Sequence, residues 1–471
     1  MKKIQGYLRK NKAFVVLFVV VFLIHLVFIT GFHETWWDSG VYLGMGKYLF
    51  SGGSAGLWEH IRPPLLPVLL GLVWFIGLPV QISGMVLELL FCLGAIFFFY
   101  EVIKFYFKEK VALIASAIFS FSSILFFLSF HLYTEVPAVF FVLLGIYLFV
   151  KKKYYFAGAA CALAFLAKFP AGMFFGILLL VLLLNKEFKN SLKLSAGFVI
   201  PLAPVLIAYA WVYSNPLLPF IEARHAISQV LGCNVLRFKP WWQYFSWIYS
   251  ESILHLFAFI GLIAYFSDFR KKNLLPLLCL AVPFVYFSQM HCRDYRYLAV
   301  FIPFVSVFSA LGIVYLITLL KKYPKQIFTI VLLLVLGFSV FKGVLFYIGN
   351  ENINTNPAAE VYFSYLKDKD ISGEIWTSNP TISFYTDASL NKMYYPVYDG
   401  EVSTDFYNYL STNSESIEYV LLDNCGGGII CAPDDSVCEE KNKQMIDFLD
   451  ENFSKVYDET YGQCFYKIYK N

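Results

Sequence analysis

Charged residues are scarce in this chain: Asp, Glu, Lys and Arg make up only 15% of its 471 residues, against roughly 25% in a soluble domain. Hydrophobic residues reach 59% and aromatic residues 20%, so most of the chain is expected to face lipid. A net charge of +4 without a concentrated basic face argues against a nucleic-acid partner. No internal repeat is present. No small-residue cleavage site follows the first apolar run, which we interpret as retained in the membrane.

Apolar runs long enough to cross about 30 Å of hydrocarbon recur through the chain. The basic clusters between them belong in the cytoplasm by the positive-inside rule; they lie at residues 2–12, 104–110, 151–153, 186–193, 270–272 and 321–325. With these inside, the sequence predicts about eleven transmembrane helices. They fall at residues 13–30, 80–100, 111–130, 136–150, 154–168, 171–185, 194–212, 251–267, 274–289, 298–320 and 327–346.

The apolar stretch 65–78 is left out of this count, because including it would invert every later loop. It begins after Pro63 and Pro64, and we expect a juxtamembrane helix lying along the outer surface. The first outer loop is then residues 31–81. The N-terminus is expected to be cytoplasmic, in a multi-pass protein of the plasma membrane.

From Gly349 onward the composition becomes polar and rich in turn residues. Residues 372–377 and 418–422 alternate as strands do, whereas residues 357–369 and 440–452 are typical of helices. We therefore divide the chain into a transmembrane domain at 1–348 and an extracytoplasmic domain at 349–471. The expected fold is an all-α polytopic membrane protein with a small C-terminal extracytoplasmic α/β domain.

Four cysteines lie in the C-terminal domain, whereas three others lie in apolar runs, where a thiol behaves as a small hydrophobe. The four are Cys425, Cys431, Cys438 and Cys464. Outside the cytoplasm they are candidates for two disulfides, with three pairings open. Four free thiols in a reducing compartment are the alternative. A zinc site is disfavoured because the usual Cys-x2-Cys spacing is missing.

Polar motifs next to the expected spans resemble the GT-C glycosyltransferases related to protein O-mannosyltransferases and lipid A aminoarabinose transferases. In the first outer loop Asp38 follows the first span, and Arg62 precedes Pro63-Pro64-Leu65. The resemblance continues in 133–138, 157–172 and 296–298. It implies a GT-C fold over roughly the first 350 residues. It also implies transfer of a sugar from a polyprenyl (dolichyl) phosphate to a protein or glycolipid acceptor at the outer face, with inversion.

The resemblance implies that Asp38 is the catalytic carboxylate and that Arg62 holds the donor phosphate. A carboxylate near the acceptor hydroxyl can act as general base or as the ligand of a metal that acidifies it. A guanidinium matches phosphate oxygens. The chain departs from the family at Ser39, where Glu is usual, and this places a two-carboxylate site in doubt.

Further polar residues at the outer face are candidates for the same site. Glu135 could be a second catalytic carboxylate, or it could only cap the following helix. If a divalent metal is used, Asp38 and Glu135 are its expected ligands. Lys168 could pair with the donor phosphate or extend to the lipid headgroups.

Arg293 and Arg296 could contact the donor phosphate, or they could form internal salt bridges with Asp294. His131, Glu34 and Tyr297 are additional candidates, and a non-catalytic interfacial histidine is the simpler interpretation of His131. An aromatic set around residues 241–247 is most simply an interfacial belt.

Two other classes of function compete with a glycosyltransferase. A transporter or flippase would favour charged residues near the bilayer midplane and repeated halves, whereas here the polar residues gather at one face. A catalytically inactive GT-C scaffold subunit is kept open by Ser39.

Overall fold

The computed structural model describes residues 2–29, 36–228, 239–267, 274–290, 293–319, 324–351, 356–367, 369–393, 400–424 and 436–471. Up to Glu351 the described residues form helices and the loops that connect them. Its helices are α1 (Lys2–Lys10), α2 (Lys12–Phe28), α3 (Trp37–Ser51), α4 (Leu65–Phe75), α5 (Val80–Tyr106), α6 (Glu109–Ser120), α7 (Ser123–Leu128), α8 (Glu135–Val150), α9 (Tyr154–Ala167), α10 (Met173–Leu184), α11 (Phe188–Tyr213), α12 (Leu218–Ser228), α13 (Gln243–Glu251), α14 (Phe257–Ser267), α15 (Leu274–Gln289), α16 (Leu298–Leu319) and α17 (Pro324–Glu351).

Each stretch predicted to span the membrane falls on a helix or on a pair of helices. Within the described residues, Val80–Tyr106, Phe188–Tyr213 and Tyr295–Leu319 are long and apolar enough to cross a membrane by themselves. The remaining predicted spans fall mainly on shorter apolar helices. The number of crossings therefore stays a prediction, whereas the helical nature of these segments is observed.

The span predicted over residues 111–130 is two helices rather than one. α6 ends at Ser120, and α7 begins three residues later at Ser123. The carboxylate of Glu251 accepts a hydrogen bond from the Ile124 N–H, at 3.1 Å. A carboxylate at a helix start satisfies an amide that has no partner within the helix, so the break is stabilised by a side chain distant in sequence.

The C-terminal part contains three α-helices and a five-stranded sheet in its described residues. The helices are α18 (Pro357–Ser364), α19 (Gly400–Asn413) and α20 (Ser436–Asn452). The strands are β1 (Glu374–Thr377), β2 (Leu390–Lys392), β3 (Ile417–Asp423), β4 (Ser454–Tyr461) and β5 (Cys464–Lys470), in the order β2-β1-β3-β5-β4. β1 pairs in parallel with β2 and β3, whereas β5 pairs antiparallel with β3 and β4. Cys438 and Cys464 are each in a disulfide, while Cys425 and Cys431 lie outside the described residues.

This sheet is joined to the first loop by main-chain hydrogen bonds. The Gly56 N–H donates to the Ala388 carbonyl at 2.9 Å, and the Leu390 N–H donates to the Gly56 carbonyl at 2.7 Å. One apolar cluster combines side chains of α3 and the loop with side chains of the sheet and of the segment between β1 and β2; among them are Val41, Met45, Leu57, Ile375, Ile382, Leu390, Leu421 and Ile468. The C-terminal part therefore packs directly against α3.

Candidate active site

Asp38 lies in the first turn of α3 and is almost completely buried. Its Oδ1 lies 2.9 Å from Nη1 of Arg62. Its Oδ2 accepts a hydrogen bond from Nη1 of Arg296. One carboxylate therefore joins two guanidiniums, one from the first loop and one from the segment before α16, 258 positions away in sequence.

Three contacts hold the loop that carries Arg62 in place. Gly56 has a φ of +75°, and a Cβ there would stand 2.1 Å from the Gly44 carbonyl oxygen, so only glycine fits between α3 and the sheet. On the other side, the Trp58 indole N–H donates to the Tyr213 hydroxyl at 2.6 Å. His60 pairs with Glu222 of α12. These contacts place Arg62 beside Asp38.

Each guanidinium is also held by a second carboxylate. Nε of Arg62 donates to Oε2 of Glu59 at 3.0 Å, and Glu59 is completely buried. Nη2 of Arg296 donates to Oδ2 of Asp294 at 3.0 Å. The expected internal salt bridge of Arg296 is thus present, and the same guanidinium reaches Asp38 as well. Charge-assisted hydrogen bonds to two different carboxylates fix a guanidinium more firmly than a single bond does.

Glu135 and Lys168 form a second buried ion pair. Nζ of Lys168 donates to Oε1 of Glu135 at 2.7 Å, and Thr134 donates to the other oxygen at 3.3 Å. Glu135 is the first residue of α8, so it stands where a helix cap would stand and also neutralises the lysine. Nζ of Lys168 also lies 5.0 Å from the ring centre of Tyr297, within the distance of a cation–π contact.

Charges of both ion clusters act on the Asp38 carboxyl. Burial alone would raise the pKa of the Asp38 carboxyl, but the charges of Arg62, Arg296 and Lys168 outweigh burial and hold this pKa well below its usual range. Asp38 is therefore an anion at neutral pH. Burial and the charge of Asp38 raise the pKa of the Tyr133 phenol, so its hydroxyl stays protonated beside the guanidinium of Arg296, which lies 5.2 Å from the ring centre.

The remaining predicted residues have other surroundings. His131 is buried, its Nδ1 lies 2.7 Å from the Phe127 carbonyl oxygen, and burial lowers its pKa to about 4. It is therefore a neutral ring packed against Trp36. Nε and Nη2 of Arg293 donate to the Ser288 carbonyl oxygen, at 2.9 and 2.6 Å. Glu34 lies outside the described residues.

The aromatic set around 241–247 is divided by burial. Trp241 and Trp242 are exposed, as an interfacial belt requires. Tyr244 is fully buried, and its hydroxyl donates to the Asp294 carbonyl at 3.1 Å. This tyrosine thus supports the segment that carries Arg296.

No three His, Cys, Asp or Glu side chains come together as a metal site within the parts of the chain that the structure describes. Both oxygens of Asp38 contact guanidiniums, and Oε1 of Glu135 contacts an ammonium. Cations in these positions repel a divalent ion, so Asp38 and Glu135 as placed here do not fit as the ligands of a divalent metal.

Two residues of this cluster, Glu59 and Lys392, were not among the predicted site residues. Glu59 lies in the motif before Pro63, three positions before Arg62, and this short spacing of opposite charges is the signal that could have identified it. Lys392, at the end of β2, has its Nζ 3.9 Å from Oε1 of Glu59. No local pattern connects residues 333 positions apart, so only the fold reveals that contact.

Comparison by sequence finds one matching family. A model described as dolichyl-phosphate-mannose-protein mannosyltransferase matches residues 61–213, about a third of the chain. The match begins at Ile61, directly before Arg62. No curated protein sequence matches the chain.

Comparison by structure extends over nearly the whole chain. ArnT from Cupriavidus metallidurans bound to undecaprenyl phosphate is similar with a TM-score of 0.69 at 12% identity, over 97% of this chain and 97% of that chain. The apo state of that protein gives 0.64 at 13% identity, over 97% and 98%. The Archaeoglobus fulgidus oligosaccharyltransferase tethered with an acceptor peptide gives 0.59 at 12% identity, over 89% of this chain and 70% of that chain. The resemblance to GT-C glycosyltransferases is thus confirmed, and three of the described helices are long and apolar enough to cross a membrane.

Proposed function

We propose that this chain is a glycosyltransferase that moves a sugar from a polyprenyl phosphate to a protein or glycolipid hydroxyl at the outer membrane face. The observation that carries the proposal is the buried carboxylate of Asp38 held between the guanidiniums of Arg62 and Arg296. The family match that begins at Ile61 supports it, as does the similarity to an ArnT that binds undecaprenyl phosphate.

Arg62 and Arg296 are the proposed phosphate ligands, with Lys168 beside them. In the structure all three cations are neutralised by carboxylates: Arg62 by Asp38 and Glu59, Arg296 by Asp38 and Asp294, and Lys168 by Glu135. A phosphate competes with Asp38 for the guanidiniums, since both anions match the same donor geometry. Negative charge accumulates on the departing phosphate, so these contacts strengthen in the transition state.

Asp38 is the proposed general base, and donor binding prepares it for this role. While both of its oxygens contact guanidiniums, the carboxylate is a weak proton acceptor. When the phosphate takes over these contacts, Asp38 is released and its basicity rises. It then accepts the proton of the acceptor hydroxyl as that oxygen attacks the anomeric carbon and the carrier phosphate leaves.

The C-terminal part, residues 349–471, is proposed to be an extracytoplasmic domain that covers the site, in a chain of about eleven spans with a cytoplasmic N-terminus. Its contact with α3 and with the loop before Arg62 supports this role. Cys425, Cys431, Cys438 and Cys464 are proposed to form two disulfides. Peptide mapping under non-reducing conditions tests this, and four free thiols would exclude it.

Transfer from a radiolabelled polyprenyl-phosphate sugar by purified variants tests the reaction. Asp38→Asn keeps the shape of the side chain but cannot accept a proton, so we expect a loss of about 10²- to 10⁴-fold in turnover with donor binding retained. Arg62→Ala should weaken donor binding as well as turnover, because its phosphate contact exists before the reaction.

Matched controls are Asp405→Asn and Arg9→Ala, which change exposed side chains that are not members of the cluster. Both should transfer at the wild-type rate. An Asp38→Asn enzyme with nearly wild-type turnover would contradict the proposed base and would make Glu135 the next carboxylate to test.

A further inference from the structure

The register between the first loop and the C-terminal sheet brings Lys392 to the site. Gly56 forms a parallel bridge with Ser389 at the edge of the sheet. Glu59 lies three residues after Gly56, and Lys392 lies three residues after Ser389. Parallel neighbours stay side by side, so this bridge aligns the two side chains, and Nζ of Lys392 lies 3.9 Å from Oε1 of Glu59.

Glu59 requires positive charge on both sides. It is completely buried, and its Oε2 accepts the bond from Nε of Arg62 at 3.0 Å. Its Oε1 has no hydrogen-bond partner in the described structure, and the ammonium of Lys392 is the cation next to it. A buried carboxylate with only half of its charge compensated is costly.

The charges of the described cluster balance only when Lys392 is included. The acids are Asp38, Glu59, Glu135 and Asp294, and the bases are Arg62, Lys168, Arg296 and Lys392. Without the lysine the cluster carries a net negative charge, at a place that must receive an anion. Glu59 would then also attract Arg62 more strongly, at the expense of its contact with Asp38 or with a phosphate.

We propose that Lys392 is a positioning residue of the donor site, which acts through Glu59 to keep Arg62 available for the carrier phosphate. The proposal rests on the proposed function. The C-terminal sheet is then part of the donor site, because β2 supplies the cation that compensates the charge of Glu59 in the loop that carries Arg62.

Four variants of the full-length protein in detergent test this role. Lys392→Met removes the charge, Lys392→Arg keeps it, and the double variant Glu59→Gln/Lys392→Met removes both opposite charges. Lys455→Met is the matched control, because Lys455 lies on the same sheet with a side-chain exposure of 31% against 27% for Lys392, and it pairs with Asp450 and Asp458 instead. The probe is undecaprenyl phosphate itself, with its Kd measured alongside the melting temperature of each variant.

We expect Lys392→Met to weaken binding about tenfold, the order given by removing one charge near a half-buried anion site. Lys392→Arg and Lys455→Met should bind within about threefold of wild type, and the double variant should recover most of the loss. An ordinary stabilising contact would lower the melting temperature without such a charge-dependent pattern in Kd.

Two failures are distinguishable. If the wild-type protein does not bind undecaprenyl phosphate, the proposed function fails. If wild type binds and Lys392→Met binds equally well, or if Lys392→Arg or the double variant binds as weakly as Lys392→Met, the positioning role is overturned and the proposed function stands.

Discussion

Gly40 lies so close to Pro380 that a Cβ on the glycine would stand 2.5 Å from the proline carbonyl oxygen. The contact joins α3 to the segment between β1 and β2, two residues after Asp38. The C-terminal part therefore touches the same helix turn that carries the proposed base. A change in how this part packs would move Asp38 relative to its two guanidiniums.

The first prediction concerns this contact. Gly40→Ala adds a methyl group where backbone atoms leave no room, so we expect a loss of about 1–3 kcal/mol in stability together with reduced transfer. Gly176→Ala is the matched control, since a Cβ at Gly176 of α10 meets nothing within 4 Å. Thermal unfolding in detergent measures the stability of both variants. Equal melting temperatures for the two variants would show that α3 and the C-terminal part do not pack this tightly.

The second prediction concerns sidedness. Residues 31–81 and the chain after Tyr347 are expected outside, whereas the basic segment at 151–153 is expected inside. Single cysteines at the exposed positions Ser54, Ser411 and Lys152 test this in intact cells with a reagent that does not cross the membrane. Ser54→Cys and Ser411→Cys should react, and Lys152→Cys should react only after lysis, each against the background of the native cysteines. The reverse pattern would overturn the topology and the outer-face site together.

Much of the helical part could be predicted because lipid leaves few alternatives. A segment that crosses hydrocarbon must satisfy its own backbone, so a long apolar run is a helix. For this reason the expected spans fall on helices such as α5, α11 and α16. The break between α6 and α7 was not predictable, since the Glu251 carboxylate that bonds Ile124 is 127 positions away.

The candidate site was predictable in part for a related reason. Asp38, Arg62 and Arg296 are charges next to apolar runs, where an unpaired ion is costly and each one therefore stands out. Which of these charges pair with one another could not be predicted from their spacing in the sequence. Lys392 was not predictable, because it is brought to the site by a bridge between Gly56 and Ser389, which lie in distant segments.

The third prediction separates structure from binding at Glu135 and Lys168. Lys168→Met leaves a buried carboxylate unpaired, which costs about 3–5 kcal/mol, so the melting temperature should fall clearly. The double variant Glu135→Gln/Lys168→Met removes both charges and should recover most of that stability. If Lys168 also holds the donor phosphate, binding of undecaprenyl phosphate should stay weak in the double variant. Recovery of stability and binding together would assign the lysine a structural role alone.

The fourth prediction is the pH dependence of transfer. Burial would raise the pKa of Asp38, and the guanidiniums of Arg62 and Arg296 lower it by more. A carboxyl with a depressed pKa is ionised above that value, so its activity and its contribution to stability are lost only as pH falls through it. We therefore expect kcat/KM of the wild type to show no acid limb from Asp38 above about pH 5.

Arg62→Met removes one of the three positive charges that oppose burial, so the pKa of Asp38 should rise and an acid limb should enter the measured range. Arg9→Met, an exposed change on α1, should leave the profile unaltered. The measurement is kcat/KM for the polyprenyl-phosphate sugar from about pH 5 to 9. A wild-type acid limb near neutral pH that Asp38→Asn removes would show that the carboxylate is not held ionised in the free enzyme. Release of Asp38 by the incoming phosphate would then be unnecessary, since the base would already be able to accept a proton before the donor arrives.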